Sequence, residues 1–186
     1  VGALLLTAVA SSLAAPPLLA APPVRYTATP LPMLGTSGSV AIAINDWGQV
    51  TGSAGGHAFL YSRGTMTDLG VAGPDSLHPH SCSLGRDINN SGQVAGHSDF
   101  ACEGNQRPSR SSGGSMNWLF GLHDFGEAIG INESGAIAGW LQTASGNRAF
   151  LYSNGILTTL GTLGGRNSNA NDINDSGQIV GHSDTM

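Results

Sequence analysis

The sequence predicts an all-β protein made of repeated units, each with four short antiparallel strands. A ten-residue motif occurs four times, at residues 43–52, 87–96, 130–139 and 172–181. The isoleucines of these motifs are separated by steps of 44, 43 and 42 residues, a period typical of propellers, solenoids and arrays. Between the motifs, short apolar runs alternate with turns rich in Gly, Ser and Asn, and no helical periodicity is present.

Composition and charge argue against several classes of partner. The chain has 186 residues, a net charge of −5 and only 10% charged residues, and all seven basic residues are arginine. Non-specific nucleic-acid binding needs a basic surface that displaces counterions, so we predict no nucleic-acid partner. After residue 20, no apolar run reaches the roughly 20 residues of a spanning helix. We therefore predict no transmembrane span in the mature chain.

The first 21 residues have the pattern of a secretory signal peptide. An apolar stretch is followed by small residues at Ser12 and Ala14, and a cleavage site is expected near Ala14 or at the Ala20–Ala21 pair. The charged start and the initiator methionine are missing, which predicts that residues 1–21 are truncated at their start. A Pro-rich linker follows at residues 22–30. These features predict a secreted protein, located outside the cell or at its surface.

The recurring motif predicts a tight hairpin in every unit. Residues 45–48 and their three equivalents have Asn at the first position and Gly at the fourth. The Asn side chain can bond the backbone two residues on, and Gly accepts a left-handed backbone, which is typical of a type I turn with a bulge. β-prone residues flank each turn, so the motif predicts the first two strands of each unit.

A second hairpin is predicted after the first. In the first unit, strands at residues 58–61 and 65–69 are joined by Ser62-Arg63-Gly64, and the third unit repeats this through Ser153-Asn154-Gly155. The second unit is irregular. There we predict a third strand at residues 118–120, a final strand at residues 122–126 and a long polar loop at residues 99–116.

Four antiparallel strands per unit of about 43 residues favour one propeller blade per unit. A β-solenoid or hairpin array is the alternative, and a sandwich is a third. Residues 31–186 hold about three and a half units, which predicts a β-repeat domain truncated at its C-terminus. An open strand edge near residue 180 is expected to invite association.

These units resemble the HAF-type extracellular repeats of bacterial secreted proteins. The resemblance rests on the His-Ala-Phe at residues 57–59, on the Asn-x-x-Gly motif and on the Leu-Gly that closes the first and third units, and it covers about residues 31–184. It implies export, a β-rich repeat fold and further repeats, but no catalytic residues. The second unit lacks the His-Ala-Phe, and the third has Arg148 in place of the histidine.

A calcium site is the first metal hypothesis. The second and fourth motifs match the first half of a calcium-binding loop. The candidate ligands are Asp87, Asn89, Ser91, Asp172, Asn174 and Ser176. The acidic ligand expected at position 12 is absent, and the first position is not acidic in the other two motifs, so turn chemistry is the preferred interpretation. A second metal hypothesis, His78 and His80 with Cys82, is weaker. No cofactor is predicted.

The two cysteines, Cys82 and Cys102, flank one hairpin of an exported chain, which favours a disulfide over two buried thiols. The repeated His-Ser-Asp at residues 97–99 and 182–184 is not a triad by itself, because adjacent strand residues point to alternate faces.

The leading functional hypothesis is a non-enzymatic binding or surface scaffold for an unknown extracellular or cell-surface ligand. Arg107, Arg110 and Trp118, at the irregular second unit, are the binding-loop candidates because Arg and Trp are enriched at binding hot spots. A tolerated insertion is the alternative explanation of that loop. An exported propeller-type hydrolase and a calcium-stabilised adhesion or surface-layer protein are the rival functions.

Overall fold

The structure, a computed structural model, describes residues 4–9, 25–35, 38–73, 81–99, 101–121 and 124–186. Every regular element in this part of the chain is a β-strand, and all pairing between strands is antiparallel. No helix in these ranges is long and apolar enough to cross a bilayer. The all-β fold class is therefore confirmed.

The described strands form three four-stranded and two two-stranded sheets; the three four-stranded sheets and the C-terminal two-stranded sheet are called units I to IV. Unit I has β3 Ser39–Ile44, β4 Val50–Ala54, β5 His57–Ser62 and β6 Thr65–Asp68; unit II has β7 Cys82–Ile88, β8 Val94–Asp99, β9 Gln106–Ser112 and β10 Ser115–Trp118. Unit III has β11 Gly126–Ile131, β12 Ile137–Thr143, β13 Gly146–Ser153 and β14 Ile156–Thr159; unit IV has β15 Gly164–Ile173 and β16 Ile179–Thr185.

Two further strands, β1 Leu4–Val9 and β2 Arg25–Pro30, precede unit I and pair with each other. They fall in the predicted signal peptide and linker, whose assignment stays a prediction. Most of residues 1–24 and the histidines at 78 and 80 lie outside the described residues.

Each unit is a simple meander in which neighbouring strands in sequence are neighbours in the sheet. Among the described strands, pairing stays within a unit, and successive units pack face to face. The first strand of each later unit contacts the first three strands of the unit before it. The core consists of four apolar clusters. Three lie at the junctions between units, such as Ala58, Leu69, Ile88 and Val94 between units I and II, and the fourth joins Leu31 to Val50 and Phe59 of unit I.

A bulge in the first strand explains an invariant glycine. The register between the first two strands shifts at the same place in all four units, as between Ala41 and Ala43 in unit I. At Gly52 a Cβ atom would collide with the carbonyl oxygen of Val40, and the equivalent glycines of the other units meet the same obstacle. Only glycine allows the partner strand to approach this closely.

The predicted turns are present. In the first hairpin the amide of Gly48 donates to the carbonyl of Asn45, and Gly48 has a φ of 71°. In the second hairpin of unit I, Arg63 and Gly64 both have positive φ, the geometry of a two-residue hairpin turn.

The prediction for the second unit is wrong. Residues 99–116 are not one long loop, because Gln106–Ser112 pairs with β8 as the third strand of the sheet. Ser115–Trp118 is the fourth strand. Residues 124 and 125, which belong to the predicted final strand at 122–126, are not in a strand. β9 contains Arg, Pro and Ser instead of alternating apolar residues, so its sequence did not predict a strand. Its turn, Ser112-Gly113-Gly114, does match Ser62-Arg63-Gly64 of unit I.

Candidate functional site

The four Asn-x-x-Gly turns lie beside one another and are joined by hydrogen bonds, which we call the turn ladder. In units I to III, the side-chain amide of the asparagine donates to the backbone carbonyl of the asparagine in the next unit. The three bonds run from Asn45 to Asn89, from Asn89 to Asn132 and from Asn132 to Asn174, at 2.9 to 3.1 Å. A second series joins the backbone amides of Asp46, Asn90 and Glu133 to the side chains of the next turns.

Hydrogen bonds within each turn use side-chain oxygen atoms that the calcium hypothesis needs. The side-chain oxygen of Asn89 accepts from the amide of Gln93, and that of Asn174 accepts from the amide of Gln178. Among the described residues, no three His, Cys, Asp or Glu side chains are grouped closely enough to hold a metal ion. The geometry therefore favours the structural interpretation of these positions.

Asp87 joins unit II to unit III. One carboxylate oxygen accepts from the amide of Ile88 and the other from the amide of Ile131, both at 2.8 Å. Burial raises the pKa of Asp87 above its ordinary value, and the two amide hydrogen bonds offset only part of that effect. Asp172 makes the first of these contacts with the amide of Ile173. The serines of the same motifs, Ser91 and Ser176, lie in the turns.

A cluster of one buried carboxylate, one buried histidine and one half-exposed arginine lies at the same junction. The carboxylate of Glu127, which is 6% exposed, bonds Nε of Arg86 and lies 2.8 Å from Nδ1 of His97. Burial raises the pKa of Glu127, but the hydrogen bonds from His97 and Arg86 outweigh it and hold the pKa below its ordinary value. Because the carboxylate is enclosed by its partners, the cluster ties two sheets together. Sequence analysis missed it, since the three residues come from separate strands.

The binding candidates lie on the outer hairpin of unit II, on strands instead of a loop. Arg107 and Arg110 are on β9 and Trp118 ends β10. The guanidinium carbon of Arg107 lies 4.9 Å from the centre of the Trp118 ring and 5.6 Å from that of Phe125. Nε of Arg107 and Nε1 of Trp118 are buried with no hydrogen-bond partner among the described residues. The structure thus brings Arg107 and Trp118 together.

Arg110 is separate from that stack. It is three residues from Arg107 on the same strand, so its side chain leaves from the opposite face of the sheet. It is half-buried, and no ion pair of Arg110 is present in the described part of the chain.

A disulfide joins Cys82 and Cys102 at the edge of the same unit, with their Cα atoms 5.5 Å apart. It connects the start of β7 to the turn after β8. Near it, the amide of Gly104 donates to Asp99, whose other carboxylate oxygen is buried without a partner among the described residues.

Comparison with known proteins gives no family assignment for this chain, because no protein-family model matches it and no curated protein matches it.

Proposed function

We propose that this chain is a secreted, non-enzymatic β-repeat scaffold that binds an extracellular or cell-surface ligand at the outer hairpin of unit II. The HAF-type resemblance and the signal-peptide pattern support export. The stacking of successive four-stranded sheets, with strand pairing kept within each unit, supports propeller blades over a β-solenoid. Small-angle X-ray scattering tests the architecture, since a curved set of blades has a smaller maximum dimension than a linear hairpin array.

The observation that carries the binding proposal is the unpaired charge of Arg107. Its guanidinium is stacked against Trp118 and Phe125, and no acidic group pairs with it in the described residues. A guanidinium held on aromatic faces keeps its hydrogen-bond donors for a planar, negatively charged group such as a carboxylate. An acidic extracellular polymer is therefore the ligand class that we propose.

Unit III offers a matched comparison for this site. Arg148 is at the repeat position of Arg107, as the strand pairing shows: Arg107 pairs with Ser98 and Arg148 with Leu141. The guanidinium of Arg148 donates to the backbone carbonyls of Asn147 and Arg166, so its donors are used within the fold. Of these two equivalent arginines, only Arg107 has a guanidinium without a hydrogen bond to the described residues.

The test measures binding of the chain to alginate, a carboxylated polysaccharide, with neutral dextran as the control probe. We expect binding to alginate that Arg107→Gln reduces about tenfold or more, since charge-assisted bonds to carboxylates are the strong ones. Arg148→Gln is the matched control and should bind as the unchanged chain does. Equal binding to dextran, or an equal loss in Arg148→Gln, would contradict the proposal. Thermal unfolding of both variants excludes a loss caused by misfolding.

A further inference from the structure

Trp47 departs from the repeat in a way that the turn does not require. It holds the third position of the first Asn-x-x-Gly turn, where the other three turns have Ser91, Ser134 and Ser176. The turn uses only the backbone of Trp47, whose amide donates to the side-chain oxygen of Asn45 at 3.1 Å. Trp47 is 75% exposed, and the three serines are exposed as well. Exposure is therefore a property of this turn position in every unit.

A second departure from the repeat lies in the same unit. Arg63 is at the tip of the second hairpin of unit I, where units II and III have Gly113 and Asn154. Arg63 is exposed, and no hydrogen bond or ion pair of its guanidinium is present in the described part of the chain. Its hydrogen-bond donors are therefore free for a ligand.

Trp47 and Arg63 line one open cleft, which we call the turn cleft. It has a volume of about 430 Å³ and lies across the junction of units I and II. Its other lining residues are Gln49 and Ser62 of unit I and Asn90 and Ser91 of unit II. Small-molecule sites have volumes of about 300–1,000 Å³, so the turn cleft is large enough for such a ligand. The two departures from the repeat thus meet at one concave site.

Hydrogen bonds within the fold hold the polar part of the turn cleft in place. The side-chain oxygen of Gln49 accepts from the turn asparagine of unit I at 2.7 Å, and its amide donates to the hydroxyl of Ser62 at 3.2 Å. Two hydrogen bonds fix the side chain of Asn90 to Asp46. The hydroxyl of Ser91 makes no hydrogen bond with the described residues. The cleft thus offers positioned amide and hydroxyl groups beside an exposed indole.

This combination of side chains fits a sugar. Trp47 is the one large apolar side chain among the described residues that line the turn cleft, and hydrogen-bonding groups surround it. A pyranose ring with equatorial hydroxyls has the same division, because its faces present C–H groups and its rim carries hydroxyls. An indole can stack on such a face while Gln, Ser and Arg side chains bond the rim. The core of a protein interface would need further apolar groups around the tryptophan, and the cleft supplies none.

We propose that the turn cleft is a second binding site, for an uncharged β-linked glycan, in which Trp47 stacks on one sugar ring and Arg63 and Ser91 bond hydroxyl groups. A glucan of the cellulose type keeps successive rings in one flat ribbon, so rings beside the stacked one can reach the polar groups of unit II. The site goes beyond the proposed function. It does not use Arg107, which pairs with Ser98 at the end of β8 that lies away from the turns.

The test is titration of the full chain with cellohexaose, followed by tryptophan fluorescence and by calorimetry. Trp118 and Trp140 are partly buried, so stacking on the exposed Trp47 should dominate a shift of the emission to shorter wavelength. Trp47→Ser should abolish this shift and raise the dissociation constant about tenfold or more. Arg63→Asn should raise it about threefold or more through the lost hydrogen bonds. Both variants introduce a residue that another unit has at the same position, so both should fold.

Tyr26→Ala is the matched control. Tyr26 is an aromatic residue that is 65% exposed, but it lies on β2 and does not line the turn cleft. This variant should bind cellohexaose as the unchanged chain does. A loss of binding equal to that of Trp47→Ser would overturn the proposal, as would an absence of cellohexaose binding by the unchanged chain. Far-UV circular dichroism verifies that each variant is folded.

Two further measurements separate this site from the one proposed at Arg107. Cellohexaose binding should not change with salt concentration, because the ligand carries no charge, and alginate should not compete for it. Dextran should not bind, since the flexible links between its rings do not keep them in one flat ribbon. Competition by alginate, or equal binding of dextran, would overturn the assignment of an uncharged, flat glycan. Because each probe is measured by itself, failure of one site leaves the result for the other unchanged.

Discussion

Units I and II form the same four-stranded sheet from different chemistry. In unit I the third strand carries His57-Ala58-Phe59, whose Ala58 and Phe59 are fully buried. In unit II the same register positions hold Arg107, Pro108 and Ser109, since Ser109 pairs with Gly96 as Phe59 pairs with Gly52. Ser109 is as buried as Phe59. The backbone register of the meander thus persists without the apolar strand that elsewhere stabilises it.

Other interactions are concentrated in unit II. Met116 on its fourth strand joins the core cluster with Ile88 and Val94. The disulfide, the stacked Arg107 and the Glu127 cluster with Arg86 and His97 all involve this unit or its junction with unit III. In unit II, a covalent bond and charged contacts thus accompany a polar third strand, where units I and III have an apolar one.

The largest expected effect is the difference in stability loss between a substitution in the apolar third strand of unit III and one in the polar third strand of unit II. Phe150→Ala in unit III should lower the free energy of unfolding by about 3–5 kcal/mol, because it leaves a cavity in the core. Ser109→Ala, at the same repeat position in unit II, should cost less than about 1 kcal/mol, since it removes only a hydroxyl that bonds the carbonyl of Arg107. Urea unfolding measures both. Similar losses in the two variants would show that the two units are stabilised alike.

Removal of the disulfide should have the next largest effect. The bond closes a segment with a sequence separation of 20 residues, so Cys82→Ser with Cys102→Ser should cost about 3 kcal/mol under the chain-entropy account. Thermal unfolding of the double variant measures this, and the unchanged chain under reducing conditions should give the same midpoint. If reduction does not change the midpoint of thermal unfolding of the unchanged chain, the disulfide does not stabilise unit II.

The Glu127 cluster predicts a loss of stability in acid. The folded state holds the pKa of Glu127 below its ordinary value of 4.5, so the carboxylate stabilises the fold above that value. This contribution disappears as the pH falls through the lowered pKa. Glu127→Gln should lower the free energy of unfolding by about 2–3 kcal/mol at neutral pH and flatten its fall in acid.

Urea unfolding at a series of pH values measures this dependence. Glu103→Gln is the control, because Glu103 is exposed and should leave the pH profile unchanged. If the free energy of unfolding of Glu127→Gln changed with pH in the same way as that of the unchanged chain, the assigned role of the cluster would be contradicted.

Much of the repeat architecture could be predicted because its signals are local. An asparagine that bonds the backbone a few residues on and a glycine at positive φ define a turn within four residues, and each turn fixes the register of its two strands. The irregular unit could not be predicted in this way. Its third strand has no apolar alternation, and the only local trace of it is the turn Ser112-Gly113-Gly114.

The candidate site also combines features that could be predicted from the sequence with features that could not. Arg107 and Trp118 stand out in the sequence by residue type, but their contact and the presence of Phe125 beside them depend on a β9–β10 hairpin that the sequence conceals. Glu127, Arg86 and His97 carry no motif, because they are distant in sequence and meet only where unit III packs on unit II.

The amino-acid sequence by itself determined the all-β class, the period of the units and the chemistry of the turns, since each depends on neighbours within a few residues. Only the tertiary structure decided which polar groups meet between units, because those contacts join residues about one repeat apart. Equivalent repeat positions can therefore differ in burial: Ile88 is 5% exposed because it packs beside Ala58 of unit I, whereas Ile44 is 54% exposed.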